Sequence, residues 1–133
     1  MVPFKIKFNP GQSIFDQVCF AAIKSILAGE LKAGEAFPSV RTLALDLKIH
    51  PNTAHKVVQH LIQERWLSAQ PGVGTVVAQP PKARAGDRKH LLEDEVETLG
   101  VEAMRVGASL NEVQQAVEDT WTDLRGLKAV SNE

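Results

Sequence analysis

Asn52, His55, Lys56 and Gln59 are spaced so that a helix beginning at Pro51 gathers them on one face. Amides, an imidazole and an ammonium on one helical face can bond base edges and phosphates in a nucleic-acid groove. The complementary face, Ala54, Val57, Val58 and Leu61, is apolar and reads as core. Upstream, Arg41 offers a guanidinium fork that suits phosphate through two parallel charge-assisted bonds. Asn52 has two readings, a helix N-cap or a contact to a base, and one residue could serve both.

Competing chemistries find less support. His50, His55 and His60 recur every five residues, which rotates successive side chains by ~140° around a helix and keeps them from converging on one ion. No metal site and no cofactor are expected. Glu93, Asp94, Glu95 and Glu97 read as a solvated first helical turn favoured by the helix dipole. No nucleophile elbow, Walker loop or zinc-peptidase motif occurs, so the residues speak for a binding protein and against an enzyme.

The elements that must hold these groups can be read from the pattern around them. A first helix is expected from about Ser13 to Ala28, with Ser13 and Asp16 as a capping pair and Phe15, Val18, Cys19, Ala22 and Ile26 as its buried stripe. Gly29 should stop it. A second helix starts at Ser39 and runs to about Leu47, with Leu43, Ala44 and Leu47 inward. The turn Lys48-Ile49-His50 leads to the third helix. Two short strands, Trp66 to Ala69 and Thr75 to Ala78, then flank a turn containing Gly72 and Gly74, and Trp66 is expected to pack between the third helix and this ribbon. Helix, turn, helix and ribbon in that order are the layout of a winged helix-turn-helix, which lays one helix in the major groove of DNA.

Charge divides along the chain. Residues 1–78 hold eight Lys/Arg against five Asp/Glu, whereas residues 79–133 hold seven against eleven, so the basic excess lies where a polyanion would be met. Cys19 is the single cysteine, which fits a reducing cytoplasm, and no long apolar run suggests a leader or a membrane span. Residues 79–89, with Pro80-Pro81 and four basic residues, read as a solvated linker.

The remainder, 90–133, reads as two helices. Leu92, Val96, Leu99, Ala103 and Val106 step along the first, Gly107-Ala108 breaks it, and Ser109 with Glu112 opens the second as a capping box. Leu110, Val113, Val117, Trp121 and Leu124 make one face of that second helix. Two such helices cannot close a core alone, so a homodimer is expected through these residues.

Several of these segments together resemble a known family. Gly29-Glu30-Leu31-Lys32-Ala33-Gly34, Phe37-Pro38-Ser39-Val40-Arg41-Thr42-Leu43-Ala44, Asn52-Thr53 and Gly72-Val73-Gly74-Thr75 look like the DNA-binding domain of GntR-type bacterial transcription factors. The turn His50-Pro51-Asn52-Thr53 and the short helical tail resemble the YtrA subfamily, whose members dimerise through such a tail. The resemblance implies a fold that is mainly α with a small β-wing: a winged helix-turn-helix over 1–78, a linker over 79–89 and a two-helix dimerisation region over 90–133. It also implies DNA contacts from Ser39, Arg41 and Thr42, from His50, Pro51, Asn52, Thr53, His55, Lys56 and Gln59, and from Gly72 and Gly74 at the wing tip. Position 50 is commonly a small capping residue in the family, and His50 should cap less well. The implied function is a homodimeric repressor on an inverted-repeat operator, acting on its own operon with ABC-type transporter genes. For an unknown small-molecule effector the two short helices leave little room in one protomer, though a dimer interface could form a pocket. The other reading is a winged helix that binds protein, for which neither salt nor Arg41→Ala would matter much.

Overall fold

The computed structural model describes residues 2–132, with side chains through 126. The last side chains of the expected 90–133 region therefore lie outside the described residues. The chain forms two compact units, one through Pro81 and one over Lys82–Gly126.

In the first unit, α1 spans Ile14–Leu27. The Ser13 hydroxyl accepts the Asp16 N–H at 3.2 Å and satisfies one of the orphan donors of the first turn. At the other end Gly29 takes φ 85°, and the N–H groups of Gly29 and Glu30 close on the carbonyls of Ile26 and Ser25. Val18, Cys19, Ala22 and Ile26 are buried; Phe15 is only half-buried and meets the His60 ring edge-on at 5.2 Å. Burial pushes the Cys19 thiol up to about 11, and Asp16 adds to the shift, so this cysteine is a packed, protonated side chain.

Helix α2 spans Val40–Leu47 and is capped by Ser39, whose Oγ accepts the Thr42 N–H at 3.1 Å. Leu43 and Ala44 are buried and Leu47 is half-buried. The chain leaves α2 through Lys48 at φ 55°. Helix α3 spans Pro51–Gln63, with Pro51 at its first position as its missing N–H favours. Ala54, Val57, Val58 and Leu61 are its inner face and belong, with Phe4, Val18, Leu31, Phe37 and Leu43, to one hydrophobic core. The cap of α3 is His50, whose Nδ1 accepts the Asn52 N–H at 3.0 Å. The expectation that Asn52 might cap this helix is thus corrected. Asn52 lies inside the first turn, and its side chain makes no hydrogen bond among the described residues.

Strands β1 (Leu67–Gln70) and β2 (Gly74–Val77) pair antiparallel, Leu67 opposite Val77 and Gln70 opposite Gly74. β1 starts one residue later than expected. Trp66 instead packs half-buried against the core, and its carbonyl accepts the Ala78 N–H at 3.0 Å. A further pairing was not anticipated. Ala36 forms a bridge with Val76, the Phe37 N–H bonds the Thr75 carbonyl at 2.9 Å, and the Val77 N–H bonds the Glu35 carbonyl at 2.8 Å. The loop ahead of α2 therefore fixes the root of the wing through backbone bonds that β2 would otherwise leave open.

The second unit is helical. Helix α4 (Asp87–Lys89) continues through a π-helical segment, His90–Glu95, into α5 (Val96–Val106), and α6 spans Leu110–Asn132. Helix begins inside the segment expected to be linker, because Asp87 Oδ2 accepts the Arg84 N–H at 2.7 Å and Gly86 supplies the left-handed turn at φ 91°. The acidic run consequently does not occupy a first turn. Asp94 and Glu95 bracket His90 instead, at 2.8 Å to Nδ1 and 3.2 Å to Nε2. Gly107, at φ 78°, ends α5, and Ser109 and Glu112 exchange bonds of 3.0 and 3.1 Å as a full capping box for α6. No described residue after Val77 is buried. Among the described residues no helix is long and apolar enough to cross a membrane.

Candidate nucleic-acid interface

The outer face of α3 exposes Pro51, Asn52, His55, Lys56 and Gln59, with Thr53 half-buried beside them. These side chains project from a rigid support, since the opposite face of the same helix is almost entirely buried. Ala54, Val57 and Leu61 are at 0% exposure and Val58 at 4%. The backbone positions of these polar groups are thereby fixed relative to one another, as base readout needs.

α2 packs on α3, and α3 on β1, so Arg41 and the wing belong to the same packed unit as this face. Arg41 is exposed in the first turn of α2. Ser39 and Thr42 are tied to each other, Ser39 Oγ donating to Thr42 Oγ1 at 3.0 Å. Their hydroxyls thus fix the entry of α2, the helix whose first turn carries Arg41. At the wing tip Gly72 and Gly74 take φ 77° and 110°, and a Cβ added at either would meet nothing within 4 Å. Both glycines are needed for backbone conformation, leaving the tip thin and open. Val73 stands between them 71% exposed.

One basic residue near this surface escaped the sequence reading. Arg65 is exposed at the junction of α3 and the wing and takes φ 68°. The Arg65 and Trp66 N–H groups close the end of α3 on the Ile62 and Leu61 carbonyls, a geometry that favours glycine. Nothing in the string Glu64-Arg65-Trp66 signals a left-handed residue. The ten residues expected to join two copies lie in the second unit. Leu92, Val96, Leu99, Val106, Leu110, Val117 and Trp121 are all at least 45% exposed, and Ala103, Val113 and Leu124 are half-buried. Groups of three or more His, Cys, Asp or Glu able to hold a metal are absent among the described residues.

Residues 17–77 match the bacterial regulatory proteins of the gntR family. Over 126 residues, 92% of this chain and 97% of the relative, the sequence is 26% identical to the HTH-type transcriptional repressor YtrA of Bacillus subtilis (strain 168). A transcriptional antiterminator from Listeria monocytogenes EGD-e has the same fold, with a TM-score of 0.77, 21% identity and 92% of each chain covered. YtrA from Sulfolobus acidocaldarius, a GntR-family transcription factor, aligns with a TM-score of 0.51 and 24% identity over 90% of this chain and 97% of that one. The winged helix-turn-helix of this chain, residues 17–77, is thus a domain of the gntR type of bacterial regulatory proteins, and over 92% of its length the chain is similar to a YtrA-type transcriptional repressor.

Proposed function

We propose that the chain is a homodimeric cytoplasmic repressor that binds an inverted-repeat operator in double-stranded DNA. The observation that carries this reading is the two-sided α3, with a buried apolar face and an exposed face of Asn52, His55, Lys56 and Gln59. Each protomer lays α3 in a major groove and its wing tip, Gly72 to Gly74, against the flanking backbone or minor groove. Arg41, in the first turn of the helix that Ser39 caps, neutralises phosphate. His50 positions Pro51, Asn52 and Thr53 at the leading end of the helix. Residues 1–78 serve as the DNA-binding domain, and the region over 90–133 joins two copies through the apolar residues of α5 and α6. Two copies related by a two-fold axis present two α3 helices, and the operator repeats with them. Regulated genes include its own operon and genes for an ABC-type transporter, and an effector would act at the interface between copies.

The test is binding of the purified protein to its own promoter at two salt concentrations, with Arg41→Ala as control. Tight binding that weakens steeply with salt, and falls in the variant, supports the reading. Binding indifferent to salt and to Arg41→Ala would instead favour a winged helix that recognises protein.

A further inference from the structure

The amino-terminal segment passes the core with alternating burial. Phe4 is buried and Ile6 and Phe8 are half-buried, while Lys5 and Lys7 are exposed, the period of two of an extended chain. It is pinned at both ends, by the Val2 N–H on Asp46 Oδ2 at 2.8 Å and by the Asn9 N–H on Gln17 Oε1 at 2.8 Å. Between these anchors the Pro3 carbonyl and the backbone N–H and C=O groups of residues 4–8 make no hydrogen bond among the described residues. The segment thus carries unpaired backbone groups like those of a sheet edge.

That edge forms one wall of an open groove of about 500 Å³, and α1 forms the other with Phe20, Ala21 and Lys24. Phe20 is 68% exposed, unusual for a phenylalanine on a helix whose other face fills the core. Lys5, Lys7 and Lys24 line the groove against one carboxylate, Asp16, and none of the three makes an ion pair among the described residues. An unpaired strand edge opposite a helix is the arrangement in which extended peptides add a strand and place alternate side chains on the helix wall.

We propose that this groove takes an extended acidic peptide from a partner protein by strand addition to residues 4–8, its carboxylates meeting Lys5, Lys7 and Lys24 and an apolar side chain covering Phe20. A second copy of the same segment fits less well. Antiparallel self-pairing centred on Ile6 sets Lys5 opposite Lys7, and like charges in direct opposition destabilise a pair. A nucleic-acid strand would answer the lysines and leave the backbone edge unpaired. The groove is distinct from the surface proposed for DNA, so the two can be tested separately.

The probe is a fluorescently labelled peptide of about ten residues alternating glutamate and valine, followed by anisotropy with the full chain. Saturable binding is expected, about tenfold weaker or more in the Lys5→Glu/Lys7→Glu protein and in Phe20→Ser. The same peptide N-methylated at alternate residues keeps every charge and loses backbone donors, and it should bind at least about tenfold more weakly. Unchanged melting temperatures of the variants show that these exposed substitutions leave the fold intact. No saturable binding, equal binding of the N-methylated peptide, or a change confined to self-association overturns the proposal. Promoter binding measured on the same variants should be retained; its loss together with peptide binding would mean that the lysines serve DNA and would overturn the proposal.

Discussion

His50 Nδ1 accepts the backbone N–H of Asn52 at 3.0 Å, so an imidazole caps the helix that carries the exposed polar face. Histidine is an uncommon cap, but its ring nitrogen reaches the second residue of α3 much as the shorter side chain of Asn or Ser would. Replacing it with alanine leaves that N–H to solvent. His50→Ala should lower stability by about 1 kcal/mol, whereas His50→Ser should keep it within about 0.5 kcal/mol. Thermal or urea denaturation of the two variants decides this, and equal losses in both would show that the imidazole bond contributes nothing.

Arg65 sits at the end of α3 with φ 68°, a conformation that costs a side-chain-bearing residue about 1 kcal/mol relative to glycine. Arg65→Gly should therefore stabilise the first unit by about 0.5–1 kcal/mol, a gain visible as a higher urea midpoint. If the arginine is held there for phosphate, the same variant binds promoter DNA more weakly and with a shallower salt dependence. A stabilised variant with undiminished DNA affinity would leave the strain without a function in binding.

The parts of the fold that were legible in the sequence are those specified locally. Ser13, Ser39 and the Ser109–Glu112 box each cap a helix within three residues of themselves, and the buried positions of α3 follow from the helical repeat alone. What escaped depends on partners far along the chain or on geometry with no fixed residue. Glu35, Ala36 and Phe37 pair with β2 across some forty residues of sequence, and no alternating pattern marks so short a strand-like stretch. The left-handed Lys48 and Arg65 lack the glycine that would have announced them. In the candidate site, the shared exposed face of Asn52, His55, Lys56 and Gln59 was readable from spacing. The division of labour between His50 and Asn52 was not, because both types can cap.

His90 supplies a pH dependence in the second unit. Its hydrogen bond to Asp94, aided by the charges of Asp94 and Glu95, outweighs desolvation and raises its pKa above the usual histidine value. A raised folded pKa means that the interaction is fully present below the unfolded value and is lost as pH rises through the folded one. The π-helical segment His90–Glu95 should thus be best ordered below the ordinary histidine value and should lose that support as pH rises through the raised one. An NMR titration should place the His90 midpoint above that of a free histidine, with backbone carbon shifts of residues 90–95 moving in step. Asp94→Asn should bring the midpoint down. A midpoint at or below the free value in the native protein would contradict the geometry.

The apolar residues of α5 and α6 are left largely exposed within their own unit. Leu99 is 45% exposed and Trp121 61% exposed, and no described residue of Lys82–Gly126 is buried. So much exposed apolar surface on two otherwise polar helices is what a helix-mediated dimer would bury. A tryptophan at the centre of such an interface is typically worth about 2–4 kcal/mol when truncated. Trp121→Ala should therefore raise the dimer dissociation constant by about 30- to 1000-fold, and Leu99→Glu should do so at least as strongly by burying an unpaired charge. Sedimentation velocity across a concentration series reads both. The monomeric variants should also bind an inverted-repeat operator poorly while keeping affinity for a single half-site, since linkage between the two recognition helices is what they lose. Arg41→Ala provides the opposite case, a dimer with weakened DNA binding. A native protein that sediments as a monomer at micromolar concentration, or a Trp121→Ala protein that remains a dimer, would move the interface elsewhere on the chain.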